Sequence, residues 1–315
     1  MAIRQVTVFG AAGFIGRYVV QRLARRGIRV VAAVRRPQQG KFLMPMGDVG
    51  QVMPVCGDIT SDATAAAAVD GSDAVVNLVG ILYERGRASF DAIHVQGAAR
   101  VAQAAARAGA SRLVHLSAIG ADAQSASSYA RSKAAGEEAV RAAFPGATIL
   151  RPSIVFGPED DFFNRFATLA RLSPMLPLFG GGATRYQPVY VGDVADAIVT
   201  ALTRADCAGK SYELGGPRAY SFAEMMSLML AETGRERCLV KLPFWMADVI
   251  GTVAGLAPLG RPQLTRDQAK LLRHDNVPAA GAPGLAELGI APTACEVILP
   301  TYLDRFRKVG RRAPA

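Results

Sequence analysis

Residues 6–16 read V-T-V-F-G-A-A-G-F-I-G, with glycines at Gly10, Gly13 and Gly16. Val6, Val8 and Phe9 form a short β-branched and aromatic run, the pattern of a buried strand. Behind the glycines, Ile15, Val19 and Leu23 recur every four residues on one helix face, and Gly27 ends that helix. A second apolar run, R-V-V-A-A-V at 29–34, follows at once. Strand, glycine turn, helix, strand is a βαβ unit. Its first glycine permits a tight turn, and its second lets phosphates approach the backbone. The third lets helix and sheet pack closely, and the helix N-terminus offers amide donors.

Working outward, four more runs predict strands: V-M-P-V-C-G-D-I-T (52–60), A-V-V-N-L-V-G (74–80), R-L-V-H-L-S-A-I-G (112–120) and T-I-L-R-P (148–152). Alanine-rich segments at 92–108 and 129–144 read as helices between them. The alternation predicts an α/β chain with a Rossmann-type, doubly wound parallel sheet and a smaller C-terminal, substrate-side lobe. The expected organisation is a nucleotide-binding core over 1–152, to which later segments return. A mixed α/β lobe over 153–303 and a basic, disordered tail over 304–315 complete it. The Pro- and Gly-dense stretch S-P-M-L-P-L-F-G-G-G (173–182) reads as a loop able to close over a ligand.

The end of the second strand selects the dinucleotide. An acid there bonds the adenosine ribose hydroxyls, whereas arginine accommodates a 2′-phosphate. The sequence gives V-R-R-P, with Arg35 and Arg36 and no acid, and Arg17 follows the third glycine. A guanidinium fork suits phosphate, so NADP(H) is expected over NAD(H). Residues 127–133, S-S-Y-A-R-S-K, put Tyr129 and Lys133 four apart on one helix face after the fifth strand.

The G-x-x-G-x-x-G spacing resembles the short-chain dehydrogenase/reductase superfamily, in its extended or atypical, epimerase/dehydratase-like branch. Further motifs narrow the resemblance: R-P-S-I-V-F-G-P-E-D (151–160), F-N-R-F (163–166), Q-P-V-Y-V-G-D-V-A (187–195), Y-E-L-G-G-P (212–217), P-x-L-T-x-D-Q (262–268) and H-D-N-V (274–277). In order, they look like the atypical family that includes the nucleotide-binding accessory subunit of mitochondrial respiratory complex I and its bacterial relatives. The resemblance implies a cofactor site of Gly10, Gly13, Phe14, Ile15, Gly16, Arg35, Arg36, Asp58, Ile59, Leu78, Val79, Gly80, Ser117, Tyr129, Lys133, Pro152 and Ile154. It implies a catalytic set of Tyr129, Lys133 and Ser117, in which the lysine binds the nicotinamide ribose and lowers the phenol pKa. Active extended members carry consecutive Ser/Thr after the fifth strand; Ser117-Ala118-Ile119 here leaves the substrate half incomplete. The implied role is therefore accessory or regulatory, tied to complex I or ubiquinone metabolism. The alternative is an NADPH-dependent reductase, or an epimerase/dehydratase, of a small carbonyl or sugar nucleotide.

Composition bounds the remaining classes. The chain has 315 residues, 50% of them hydrophobic, enough for a sizeable core. Lys plus Arg exceeds Asp plus Glu by 36 − 26 = 10. No zinc-finger or aromatic RNA-binding signature accompanies that charge, so no nucleic-acid partner is expected. The scattered Cys56, Cys207, Cys238 and Cys295 read as reduced thiols. His94, His115 and His274 stand at no metal-ligand spacing, so no metal is expected. The apolar run 244–260 is short for a membrane span and contains Asp248. The N-terminus enters a strand without a leader pattern. These features predict a cytoplasmic bacterial protein, or one peripheral at the cytoplasmic face of the inner membrane, where the apolar run and the basic 305–312 segment could dock.

Overall fold

The computed structural model describes residues 3–247, 249 and 265–307. Most of the apolar run 244–260 and of the basic segment 305–312, and the first residues of the 262–268 motif, lie outside the described residues. The chain divides into two compact units. The first comprises the chain up to Pro152 together with Val191–Leu214 and Gly281–Ala291; the second comprises Ser153–Tyr190, Gly215–Ala280 and the chain from Pro292.

The first unit is built on a seven-stranded parallel sheet. Its strands are β1 (Gln5–Phe9), β2 (Arg29–Val34), β3 (Val52–Cys56), β4 (Ala74–Asn77), β5 (Arg112–Leu116), β6 (Thr148–Pro152) and Ser211–Leu214. The spatial order is Ser211–Leu214, β6, β5, β4, β1, β2, β3. Strand order reverses between β1 and β4, because the chain winds first to one side of β1 and then to the other. Ligands of such sheets bind at the strand C-termini beside that reversal.

One face of the sheet is covered by α2 (Asp62–Val69), α3 (Ala98–Arg107) and α4 (Ser128–Ala143), whose alanines and valines pack on Phe9, Val75, Leu113 and Ile149. On the other, α1 (Phe14–Arg25) packs with the helix Val191–Thr203, and Arg22 Nε meets Asp196 at 2.7 Å. The helix expected over 92–108 is two pieces, since Asp91–Gly97 is a π-helical turn and α3 begins at Ala98.

The second unit packs the helices Phe163–Leu172, Phe222–Thr233 and Cys295–Leu303 around Phe156, Phe163, Met225, Met226 and Leu299. Half of the expected loop at 173–182 is a strand: Met175–Phe179 pairs in parallel with Cys238–Leu242. Ser173 and Pro174 lead into that strand, and Gly180, Gly181 and Gly182 follow it as a turn, all three at positive φ, which glycine adopts without a Cβ penalty. The tail expected from residue 304 is ordered at its start, since Asp304–Phe306 forms a 3₁₀ turn and Phe306 is buried. Among the described residues no helix is long and apolar enough to cross a membrane.

Candidate functional site

The glycine turn closes as its spacing requires. Gly10 has φ +79° and its amide donates to the Ala33 carbonyl at 3.2 Å. Gly13 is the N-cap of α1 and offers no side chain to its amides. A Cβ on Gly16 would lie 2.6 Å from the Ala11 carbonyl oxygen, so only glycine lets α1 approach the turn. The first turn of α1, beginning with the half-buried Phe14 and Ile15, carries no acid. Uncapped amides and an unopposed dipole make an anion cradle.

Around the cradle, Arg35 and Arg36 are exposed at the C-terminal end of β2. Arg17 lies over the Phe42 ring, 5.1 Å from its centroid. Asp58 follows β3, and one of its carboxylate oxygens accepts from the amide and hydroxyl of Thr60. Ile59 is buried and its side chain packs in the core against Gly97, so it offers only backbone to a ligand. Leu78 and Val79 face Gly10 across the reversal, 3.4 Å from where its Cβ would be, and Gly80 is exposed. Pro152 is buried at the end of β6 and its carbonyl accepts from the Ile119 amide. Ile154 belongs to the second unit, where the Asn276 side chain accepts its amide hydrogen at 3.1 Å.

Tyr129 and Lys133 stand on the first turns of α4, whose N-cap Ser127 accepts the Ala130 amide hydrogen. Lys133 is 5% exposed, and its Nζ donates to the Leu116 carbonyl, at the end of β5, at 2.8 Å. Burial brings its ammonium down to about 8, partly opposed by the carboxylate of Glu137. Burial pushes the Tyr129 phenol up to about 12. The expected lowering of the phenol pKa is thus absent in the free protein, where desolvation outweighs any help from the ammonium.

The sequence reading missed two supports of this pair. His94, in the π-helical turn, stacks on Phe90 and meets the Tyr129 ring edge-on at 5.5 Å. Ser132 donates its hydroxyl hydrogen to the Tyr129 carbonyl (2.7 Å), so it accepts from His94 Nδ1 (2.8 Å). Nε2 then accepts the Ile81 amide hydrogen at 3.0 Å. A neutral His94 thereby joins the segment after Gly80 to the Tyr129 turn, and burial, then the Lys133 charge, push its pKa down to about 3. The second support is Arg151 on β6, which grips both oxygens of Glu137 (2.9 and 2.6 Å) and reaches Glu213 at 3.5 Å. This pins α4 to the sheet one turn beyond Lys133.

Among the described residues, three buried side-chain polar atoms make no hydrogen bond: Asn77 Nδ2, His115 Nδ1 and Ser117 Oγ. Asn77 and His115 are register partners at the ends of β4 and β5, and Ser117 follows two residues later. Alternation puts all three on the sheet face that carries α3 and α4. Unmet polar groups cost about 1–3 kcal/mol each, so this rim of the sheet is suited to a polar ligand. Glycine cradle, uncapped helix and orphaned polar rim together fit a dinucleotide lying across the reversal. Ser117 is 5% exposed, and Ile119, two residues on, is buried and brings no hydroxyl to this rim.

Comparison with known proteins gives the lineage. Mouse (Mus musculus) mitochondrial NADH dehydrogenase (ubiquinone) 1 alpha subcomplex subunit 9 is 37% identical over 303 residues, covering 96% of this chain and 80% of its own. The ceramide reductase of Caulobacter vibrioides is 34% identical over 240 residues, covering 76% of this chain and 73% of its own. Among solved structures, a Citrobacter sp. triphenylmethane reductase superposes with a TM-score of 0.75 at 20% identity, covering 95% of this chain and 99% of its own. A family model spans residues 6–215, and the chain belongs to the NAD dependent epimerase/dehydratase family.

Proposed function

We propose that this chain is an NADP(H)-binding accessory or regulatory protein linked to respiratory complex I or to ubiquinone metabolism. The observation that carries this reading is the near whole-length similarity to a complex I subunit. Ser117-Ala118-Ile119, with one hydroxyl where the resemblance implies consecutive Ser/Thr in active members, supports a binding role over turnover. The exposed Arg35 and Arg36, with no acid beside them, support the 2′-phosphorylated nucleotide.

In this reading the α1 amides and Gly10–Gly16 take the pyrophosphate, and Arg35 and Arg36 take the 2′-phosphate. Lys133 turns from the Leu116 carbonyl to the ribose hydroxyls. When bound, the nucleotide supplies a hydride donor or acceptor at its nicotinamide. Tyr129 keeps its proton at neutral pH and acts as a hydrogen-bond donor.

Nucleotide at 100 times its Kd raises stability by about 2.7 kcal/mol. Lys133→Ala should lose most of that gain while Tyr129→Phe keeps it. Affinity purification from respiratory membranes should recover complex I subunits. A protein that purifies without nucleotide and is not stabilised by NADPH refutes the reading.

Two observations favour a reductase as the second reading: the Tyr129–Lys133 pair stands on one face of α4, and the ceramide reductase is 34% identical. Under it, Tyr129→Phe abolishes a carbonyl-reducing activity without weakening NADPH binding.

A further inference from the structure

The second unit carries a surface that nucleotide binding does not use. The helix Phe163–Leu172 ends in Arg171 and Leu172, and the strand Met175–Phe179 begins three residues on. Leu176 and Leu178 enter the core, so alternation turns Met175 and Pro177, with their partners Cys238 and Val240, the other way. Leu172 is 81% exposed and Met175 54%. Just past the partner strand, residues 244–247 are helical, with Trp245 63% exposed and Val249 53%. Large apolar side chains thus stand in water at both ends of one strand pair, whereas scattered single ones are the norm for a soluble surface.

Cations gather at the Leu172 end. Arg237 Nε donates to the Ala170 carbonyl at 2.7 Å, which holds its guanidinium against the turn bearing Arg171. Arg235 Nε donates to the Phe306 carbonyl at 3.0 Å, and burial, then the charges of Arg237 and Arg171, lower its pKa. The nearby acids are Glu236, which is exposed, and Glu232, which reaches Arg307 at 4.0 Å. Guanidinium groups gathered at this end attract an anionic surface.

We infer that this face docks on a bilayer bearing anionic headgroups. Arg171, Arg235 and Arg237 meet the phosphates, and Leu172, Met175 and Trp245 enter the interfacial zone. Tryptophan prefers that zone, and apolar side chains beside a basic cluster are the usual peripheral anchor. The inference does not depend on nucleotide binding.

Trp245 is the chain's single tryptophan, so its fluorescence reports this face alone. The full chain is titrated with phosphatidylcholine vesicles with and without phosphatidylglycerol. Expected are a blue shift and quenching by brominated lipid with the anionic vesicles, weakened by salt. Arg171→Ala should weaken binding about fivefold, the value of one basic residue near a charged membrane, and Leu172→Ser should weaken it severalfold. Absence of a shift, or equal binding to neutral vesicles, overturns the inference. So does unchanged binding by both variants, which would move the contact to the basic residues at 308–312. A shift that appears on raising protein concentration without lipid would instead mean a second copy. One produced equally by an acidic polypeptide would mean a protein partner.

Discussion

Lys133→Met is the perturbation that most sharply tests the buried pair. Lys133 is 5% exposed, and its pKa falls from the ordinary 10.5 to about 8. At neutral pH the folded protein therefore holds a charge at a cost of about 3 kcal/mol. Methionine removes that cost but leaves the Leu116 carbonyl without its donor, a loss of about 1–3 kcal/mol. The unfolded lysine binds its proton up to about 10.5 and the folded one only to about 8. Between those values the unfolded state binds more protons, so wild-type stability rises with pH, and the variant lacks that rise. The expected outcome is a crossing. At pH 7 Lys133→Met matches or exceeds the wild type by up to about 2 kcal/mol, and above pH 10.5 it is less stable by about 1–3 kcal/mol. Urea unfolding followed by circular dichroism across this window measures both curves. Parallel curves would refute the reasoning, because they would mean that the folded lysine titrates like a solvated one.

Three other outcomes follow from the same geometry. His94 titrates at about 3 when folded against an ordinary 6.5, so the wild type loses stability as pH falls through that interval, by about 4–5 kcal/mol in all; His94→Gln should flatten this acid limb, and an unchanged limb contradicts the burial. Glu137→Gln removes the closer of the two carboxylates on Arg151, leaving Glu213 at 3.5 Å, and should cost about 2–3 kcal/mol in denaturant unfolding, whereas Glu137→Leu combined with Arg151→Met recovers most of it; a harmless single variant contradicts the pinning role. Gly16→Ala forces a Cβ onto backbone oxygens and should destabilise by about 1–3 kcal/mol in denaturant unfolding; a stability equal to the wild type's would contradict the close approach of α1.

The βαβ unit was legible because its signals are local. Gly10, Gly13 and Gly16 declare a turn by spacing alone, and the limits of β2 and β6 could be read from their flanking residues. Long-range pairing was not legible in this way. Ser211–Leu214 adds a seventh strand beside β6, yet nothing within it marks a partner some 60 residues earlier. Met175–Phe179 reads as a proline-broken loop, but Cys238–Leu242 supplies the partner that makes it a strand. The Tyr129–Lys133 pair was visible as a four-residue spacing. Its supports were not, because His94 reaches Ser132 across 38 positions and Arg151 reaches Glu137 only through the sheet. One signal was available: Gly136, mid-helix in α4, has room for no Cβ against the His94 carbonyl, and a glycine there marks a close approach. The rise of the Tyr129 pKa depends on burial, which a spacing cannot report.

The central claim is that the Gly10–Gly16 cradle, with Arg35 and Arg36 beside it, holds NADP(H). Calorimetric titration of the intact protein with NADPH and with NADH tests it most directly. The account predicts that both bind at one site and that NADPH is about 10- to 100-fold tighter, the worth of a charged hydrogen bond to the 2′-phosphate. Arg36→Asp should bring the two toward parity. No heat with either nucleotide, or tighter binding of NADH by the wild type, would contradict it.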